Sequence, residues 1–190
     1  RAEMAFLDGV LEESVIPLCA ALAAQEHGDA RRALDLLRVS GEIADRDESD
    51  RVSERHVKSA QAKIEADSMI ECIATLPTQS KVVLYAMLLL DQMGQTIFTS
   101  GEVSRIYKEI APAMELDILT HRRITDLISE LNMLGVINTR VVSRGRYGRT
   151  KEMWFDTNIH KIWDVITADT RLSAQGLAAR DVQWCRSLFR

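Results

Sequence analysis

Two clusters of arginine on this chain have the spacing to hold phosphate. The first lies in Gly28-Asp29-Ala30-Arg31-Arg32-Ala33-Leu34-Asp35. Asp29 is a helix N-cap type, so Arg31 and Arg32 fall in the first turn of the helix it opens. That end is unfavourable for cations: the macrodipole is positive there, and a basic side chain loses about 0.3–1 kcal/mol. The same turn offers free backbone N–H groups to an anion. A guanidinium also forks onto phosphate oxygens. A phosphate partner for Arg31 and Arg32 is one reading. A solvated face, with the arginines paired to Asp35 one turn on, is the other. The residues alone leave both open.

The second cluster is Ser143-Arg144-Gly145-Arg146-Tyr147-Gly148-Arg149-Thr150-Lys151, with four cations in nine residues. Gly145 and Gly148 permit a sharp turn or a close backbone approach. Tyr147 adds a flat face for a sugar or base. Such a segment suits a wing against a phosphate backbone or in a minor groove. The helix expected before it, capped by Thr120, carries His121, Arg122 and Arg123 in its first turn, the part that meets base edges in helix-turn-helix docking. Arginine pairs bidentately with guanine. Arg122, Thr125, Asp126 and Ser129 lie opposite its apolar stripe, and Arg123 and Glu130 flank that stripe. Asp126 repels phosphate, so this face is not uniformly basic. Arg140 adds a further cation on the first strand of the hairpin. DNA contact is favoured over a solvated hairpin tip because helix and hairpin are both basic.

These clusters need elements to position them. Arg1 to Asp8 reads as a helix end closed by Gly9. Ser14 caps a helix to His27, with Pro17 tolerated in its first turn. Asp29 caps the next, to about Arg46. After a polar loop, Ser53 starts a long helix to about Thr75, stopped before Pro77. Ser80 to Met93 is a strongly apolar helix ended by Gly94, and Thr99 or Ser100 caps another. The helix from Thr120 carries Ile124, Leu127, Ile128, Leu131 and Leu134 on one stripe, and Gly135 stops it. Val136 to Val142 and Lys151 to Phe155 then read as the strands of a hairpin. Helix, helix, helix, hairpin is the order of a winged helix. The expected fold is mainly α, with a helical domain over 1–68 and a winged helix with C-terminal helices over 69–190. Those last helices, with Trp163 and Trp184, either pack on the winged helix, the commoner fate of tryptophan, or hold a partner.

Several function classes are excluded. No glycine is followed by lysine, so there is no GxxxxGK[ST] phosphate loop. Cys19, Cys72 and Cys185 form no CxxC, which points to a reducing, cytosolic setting. His27, His56, His121 and His160 show no metal-ligand spacing, and no metal is expected. The longest apolar run, Val82 to Leu90, is too short for a membrane span, and the N-terminus has no signal-peptide core. The chain does not begin with Met and reads as a piece of something longer. Charge is unevenly spread. Residues 1–67 hold nine basic and fifteen acidic residues, whereas 120–151 hold seven basic residues against Asp126 and Glu130. A positive block on an acidic chain points to a local anionic partner.

The chain resembles the C-terminal part of the archaeal Orc/Cdc-type origin-recognition initiators. The resemblance rests on Arg1-Ala2-Glu3-Met4-Ala5-Phe6, on Glu26 to Arg38, on Leu127-Ile128-Ser129-Glu130-Leu131-Asn132-Met133-Leu134-Gly135, and on Gly145-Arg146-Tyr147-Gly148-Arg149-Thr150-Lys151-Glu152. It implies a parent with an ATPase core, an AAA+ helical lid and a winged helix. It implies that Gly-Asp-x-Arg is the sensor-2 motif, with Arg31 reaching nucleotide phosphates and Arg32 a weaker candidate. It further implies origin duplex DNA as partner, bound through Arg122, Arg123, Thr125, Ser129, Arg140, Arg144, Arg146, Tyr147, Arg149 and Lys151. The replicative helicase is a further implied partner, and the location is cytoplasmic, at the nucleoid. ATP or ADP with Mg belongs to the parent; no cofactor and no enzymatic activity are expected of this chain alone. Two other readings are the tail of a Holliday-junction AAA+ motor and a winged helix that holds a protein. The lid segment and the Gly-Arg-Tyr-Gly-Arg wing favour the initiator over the motor.

Overall fold

The computed structural model describes residues 5–26, 29–143, 145, 148–156 and 159–174. The chain forms two compact units, Arg1–Ser68 and Met69–Arg190.

In the first unit α1 (Val15–Glu26) and α2 (Ala30–Arg46) pack together, followed by α3 (Glu54–Thr75), whose N-terminal part completes this unit. Their core is Val15, Cys19, Leu36, Leu37, Ala44, Val52 and Val57. Buried His56 accepts the Ser53 N–H on Nδ1 at 3.0 Å, which satisfies a donor at the start of α3. The expected helix ending at Asp8 is not present over the described residues 5–9, which form a short 3₁₀ turn and a bend. Packing decides this: Phe6 lies so close to Gly41 that a Cβ there would come within 2.9 Å of its ring. Phe6 is thereby held on the core by tertiary contact, not by helix periodicity.

The second unit runs α4 (Thr78–Gln92), β1 (Phe98–Thr99), α5 (Ser100–Ile110), a 3₁₀ turn (Ala111–Met114), α6 (His121–Met133), β2 (Asn138–Ser143), β3 (Arg149–Trp154), α7 (Ile159–Ala168) and α8 (Thr170–Ala174). Every residue of α4 from Ser80 to Leu90 is buried. A helix apolar all round must be enclosed by its neighbours, and α5, α6 and α7 pack around it. Thr99 caps α5 in a capping box with Glu102. The sheet is antiparallel with order β1-β3-β2. β1 is an addition to the expected hairpin; two residues carry no periodicity from which to read a strand. The ladder starts at Asn138, two residues later than the apolar pattern implied. Val136 and Ile137 are buried in the core instead.

Of the C-terminal part, α7 and α8 pack on this unit. Ile162, Ile166 and Leu172 are buried, and Trp163 lies against Tyr85 with ring centroids 5.6 Å apart. Trp184 lies outside the described residues. An ion pair between Lys81 and Asp169, 2.6 Å apart and largely buried, ties α4 to the start of α8. Lys81 also donates to the Ala74 carbonyl at 2.7 Å. The Lys81 ammonium, helped by the Arg171 and Leu172 N–H groups, outweighs burial and holds the Asp169 carboxyl below its usual range. Among the described residues no single helix is long and apolar enough to cross a membrane.

Candidate nucleic-acid interface

α6 is positioned by its apolar side. Ile124, Leu127, Ile128 and Leu131 are buried. Leu134, expected on the same stripe, is 46% exposed. It is the C-cap of α6, and the chain turns away at Gly135, whose φ of +72° is the left-handed conformation glycine favours. The entry to α6 is fixed by Tyr107 of α5. Its hydroxyl donates to Gln79 Oε1 and accepts the Leu119 N–H at 3.4 Å. Gln79 Nε2 donates in turn to the Asp117 carbonyl at 3.2 Å. Burial pushes the Tyr107 phenol above its ordinary range, so it remains a donor. No sequence pattern marks this residue, because its partners stand 10 to 28 residues away. Thr120 then caps the helix by accepting the Arg123 N–H at 3.3 Å.

The basic side chains divide into three states. Arg122 and Arg149 are exposed and make no ion pair with another described residue. Arg123 faces Glu130, with Nη1 to Oε1 at 3.4 Å and both side chains about half exposed. Arg140 and Lys151 are engaged. Arg140 reaches Glu152 through Nε at 2.9 Å and Nη2 at 2.8 Å, and its guanidinium lies 5.8 Å from the Trp154 ring centre. Lys151 donates to Ser129 Oγ at 2.5 Å, from β3 across to α6. Ser129 donates to the Thr125 carbonyl at 2.8 Å, and Thr125 to the His121 carbonyl at 2.9 Å.

Strand register separates the hairpin cations. Arg149 pairs with Ser143, Lys151 with Val141, and Met153 with Thr139. Cross-strand partners share a face and alternate residues lie on opposite faces. Arg149 and Lys151 therefore share the face that Lys151 directs toward α6. Arg140, opposite Glu152, lies on the other. Arg144, Arg146 and Tyr147 at the tip lie outside the described residues.

In the first unit Asp29 caps α2 and accepts the Arg31 N–H at 2.9 Å, while the Arg32 N–H bonds the Asp29 carbonyl at 3.1 Å. Two of the first-turn N–H donors are thus occupied within the chain. Arg31 is exposed and Arg32 half-buried. Asp35 pairs with Arg38 at 3.9 Å. Among the described residues the Arg31 side chain has no ion pair. Gly28 lies outside the described residues.

Profiles of two domain families match this architecture. That described as "Cdc6 AAA+ ATPase-type lid domain" matches residues 1–62, and "CDC6, C terminal winged helix domain" matches residues 71–165. The chain belongs to the Cdc6 family. This sets aside the junction-motor reading. The ORC1-type DNA replication protein of Methanoculleus marisnigri is 71% identical to this Cdc6-family chain over 190 residues, all of this chain and 44% of the relative. That of Pyrococcus abyssi is 60% identical over 169 residues, 89% of this chain and 40% of the relative. The chain therefore spans less than half the length of the curated relatives it matches. A solved structure of the Aeropyrum pernix ORC1 protein in complex with DNA is 47% identical, with a TM-score of 0.73 over 89% of this chain and 44% of that one.

Proposed function

We propose that this chain is the DNA-binding part of an ATP-regulated replication initiator. It grips origin duplex DNA with α6 in the major groove and the β2–β3 hairpin alongside. The observation that carries this is the placement of Arg122 and Arg149. They are exposed cations without a described carboxylate partner, on two elements joined by the Lys151–Ser129 bond. Phosphate contacts of this kind fix register and orientation on a duplex. The 47% identity to a protein solved with DNA supports the same reading. Arg144, Arg146 and Tyr147 extend the grip from the wing tip, and Arg123, Thr125 and Ser129 stand on the helix that faces the bases.

In the full-length parent, Arg31 senses the phosphates of ATP or ADP held with Mg by the ATPase core, with Arg32 as the weaker candidate. The parent acts in the cytoplasm at the nucleoid and helps recruit the replicative helicase. This chain alone turns over no ATP, since it carries no phosphate loop. The decisive measurement is fluorescence anisotropy of a short labelled duplex with the purified chain at rising salt. Binding that weakens steeply with salt is expected. No binding at low salt would leave the protein-holding winged helix as the better reading.

A further inference from the structure

Among the described basic residues on the hairpin, Lys151 is the one whose charge is turned inward. Arg149, two residues away on the same face, is exposed; Lys151 is half-buried and reaches Ser129 Oγ. Donor and acceptor roles fit without conflict. Ser129 spends its one hydroxyl proton on the Thr125 carbonyl, so its lone pairs are open to the ammonium. Thr125 repeats the pattern one turn earlier by donating to the His121 carbonyl. A run of hydroxyl-to-carbonyl bonds thus follows α6 from its first turn to the point where the hairpin is fastened. The sheet bonds β2 to β3 but supplies no bond between β3 and α6. Lys151 to Ser129 is a side-chain hydrogen bond that joins the hairpin to this helix.

We propose that Lys151 is a positioning residue: held by Ser129, it fixes the hairpin relative to α6 so that Arg149 and Arg122 meet one duplex together. This rests on the DNA-binding reading above. The rotamer freedom of the lysine is then lost on folding and not on binding, which is how preorganisation raises affinity.

The experiment measures binding of a short fluorescent duplex of mixed sequence across a salt series. It compares the wild-type chain with Lys151→Met, Ser129→Ala and the double variant. Lys151→Met keeps the apolar stem, and Lys151→Gln serves as a second variant should the first lower the melting temperature. A positioning role predicts that each single variant weakens binding by a similar factor, about 3- to 10-fold. The double variant is then no weaker than either single, because coupled residues are non-additive. The slope of log K against log salt stays at the wild-type value. A phosphate contact predicts instead a slope flatter by about 0.9 for Lys151→Met and near-normal binding for Ser129→Ala; that result overturns the proposal alone. Wild-type affinity in all variants overturns it too. Failure of the wild-type chain to bind any duplex removes the DNA-binding reading and the proposal with it.

Discussion

Replacing Arg122 and Arg149 together with Ala is the sharpest test of the proposed grip on DNA. Its size follows from which cations are available. Arg140 is committed to Glu152, Arg123 faces Glu130, and Lys151 is held by Ser129. Arg122 and Arg149 remain, and on the proposed reading they and the wing's Arg144 and Arg146 would make four phosphate contacts. Each neutralised phosphate contributes about 0.9 to the slope of log K against log salt, so the wild-type slope should be about −3.6 and that of the double variant about −1.8. Between roughly 50 and 200 mM salt the wild type should lose about 150-fold in affinity and the double variant only about 12-fold. Binding to origin and random duplexes should weaken alike, because phosphate contacts carry no sequence information. Arg140→Ala is the internal control and should leave the slope unchanged. The assay is anisotropy of a labelled duplex, with circular dichroism to confirm the fold. A double variant with the wild-type slope would refute the assignment. So would an Arg140→Ala slope as flat as that of Arg149→Ala, since Arg140 lies on the opposite face of the hairpin.

Leu131→Ala should cost about 2–5 kcal/mol in chemical denaturation, as truncation of a fully buried leucine does, whereas Arg122→Ala should change stability by less than about 0.5 kcal/mol. Asp169→Asn should cost about 2–4 kcal/mol, below the full loss for a buried pair because Asp169 keeps 18% exposure; Lys81→Met added to it should recover most of that. Since the Asp169 carboxyl is held below its ordinary value in the folded chain, its contribution is present above the unfolded value of about 3.9 and lost as pH falls through the lower folded one. Thermal melts should therefore show the gap between wild type and Asp169→Asn closing below about pH 4, and a gap that widens in acid would contradict the assignment. In the full-length parent, Arg31→Ala should weaken the response to ATP and ADP more than Arg32→Ala in a nucleotide-binding titration; equal and negligible effects would return Arg31 to a solvated face.

Much of this fold is written locally. Asp29, Thr99 and Thr120 each cap the helix they precede, because a short oxygen side chain beside free N–H groups needs only its immediate neighbours. The stripe Ile124, Leu127, Ile128 and Leu131 is buried because a period of 3.6 residues places those side chains on one face. The family, too, is carried by contiguous segments at the lid and the wing.

Tertiary structure decided the state of each cation. Arg140, Arg149 and Lys151 are alike in sequence, yet one is paired, one exposed and one held by a helix. Strand register determines this, and register depends on which residues the hairpin sets opposite each other. Tyr107 and the Lys81–Asp169 pair were illegible for the same reason, since the latter partners stand 88 residues apart. Leu134 fell off its stripe because the helix stops where Gly135 turns the chain, and there the helical period no longer applies. Side-chain types and spacing fix what a residue is able to do. Contacts between distant segments fix whether its charge is still available to a partner.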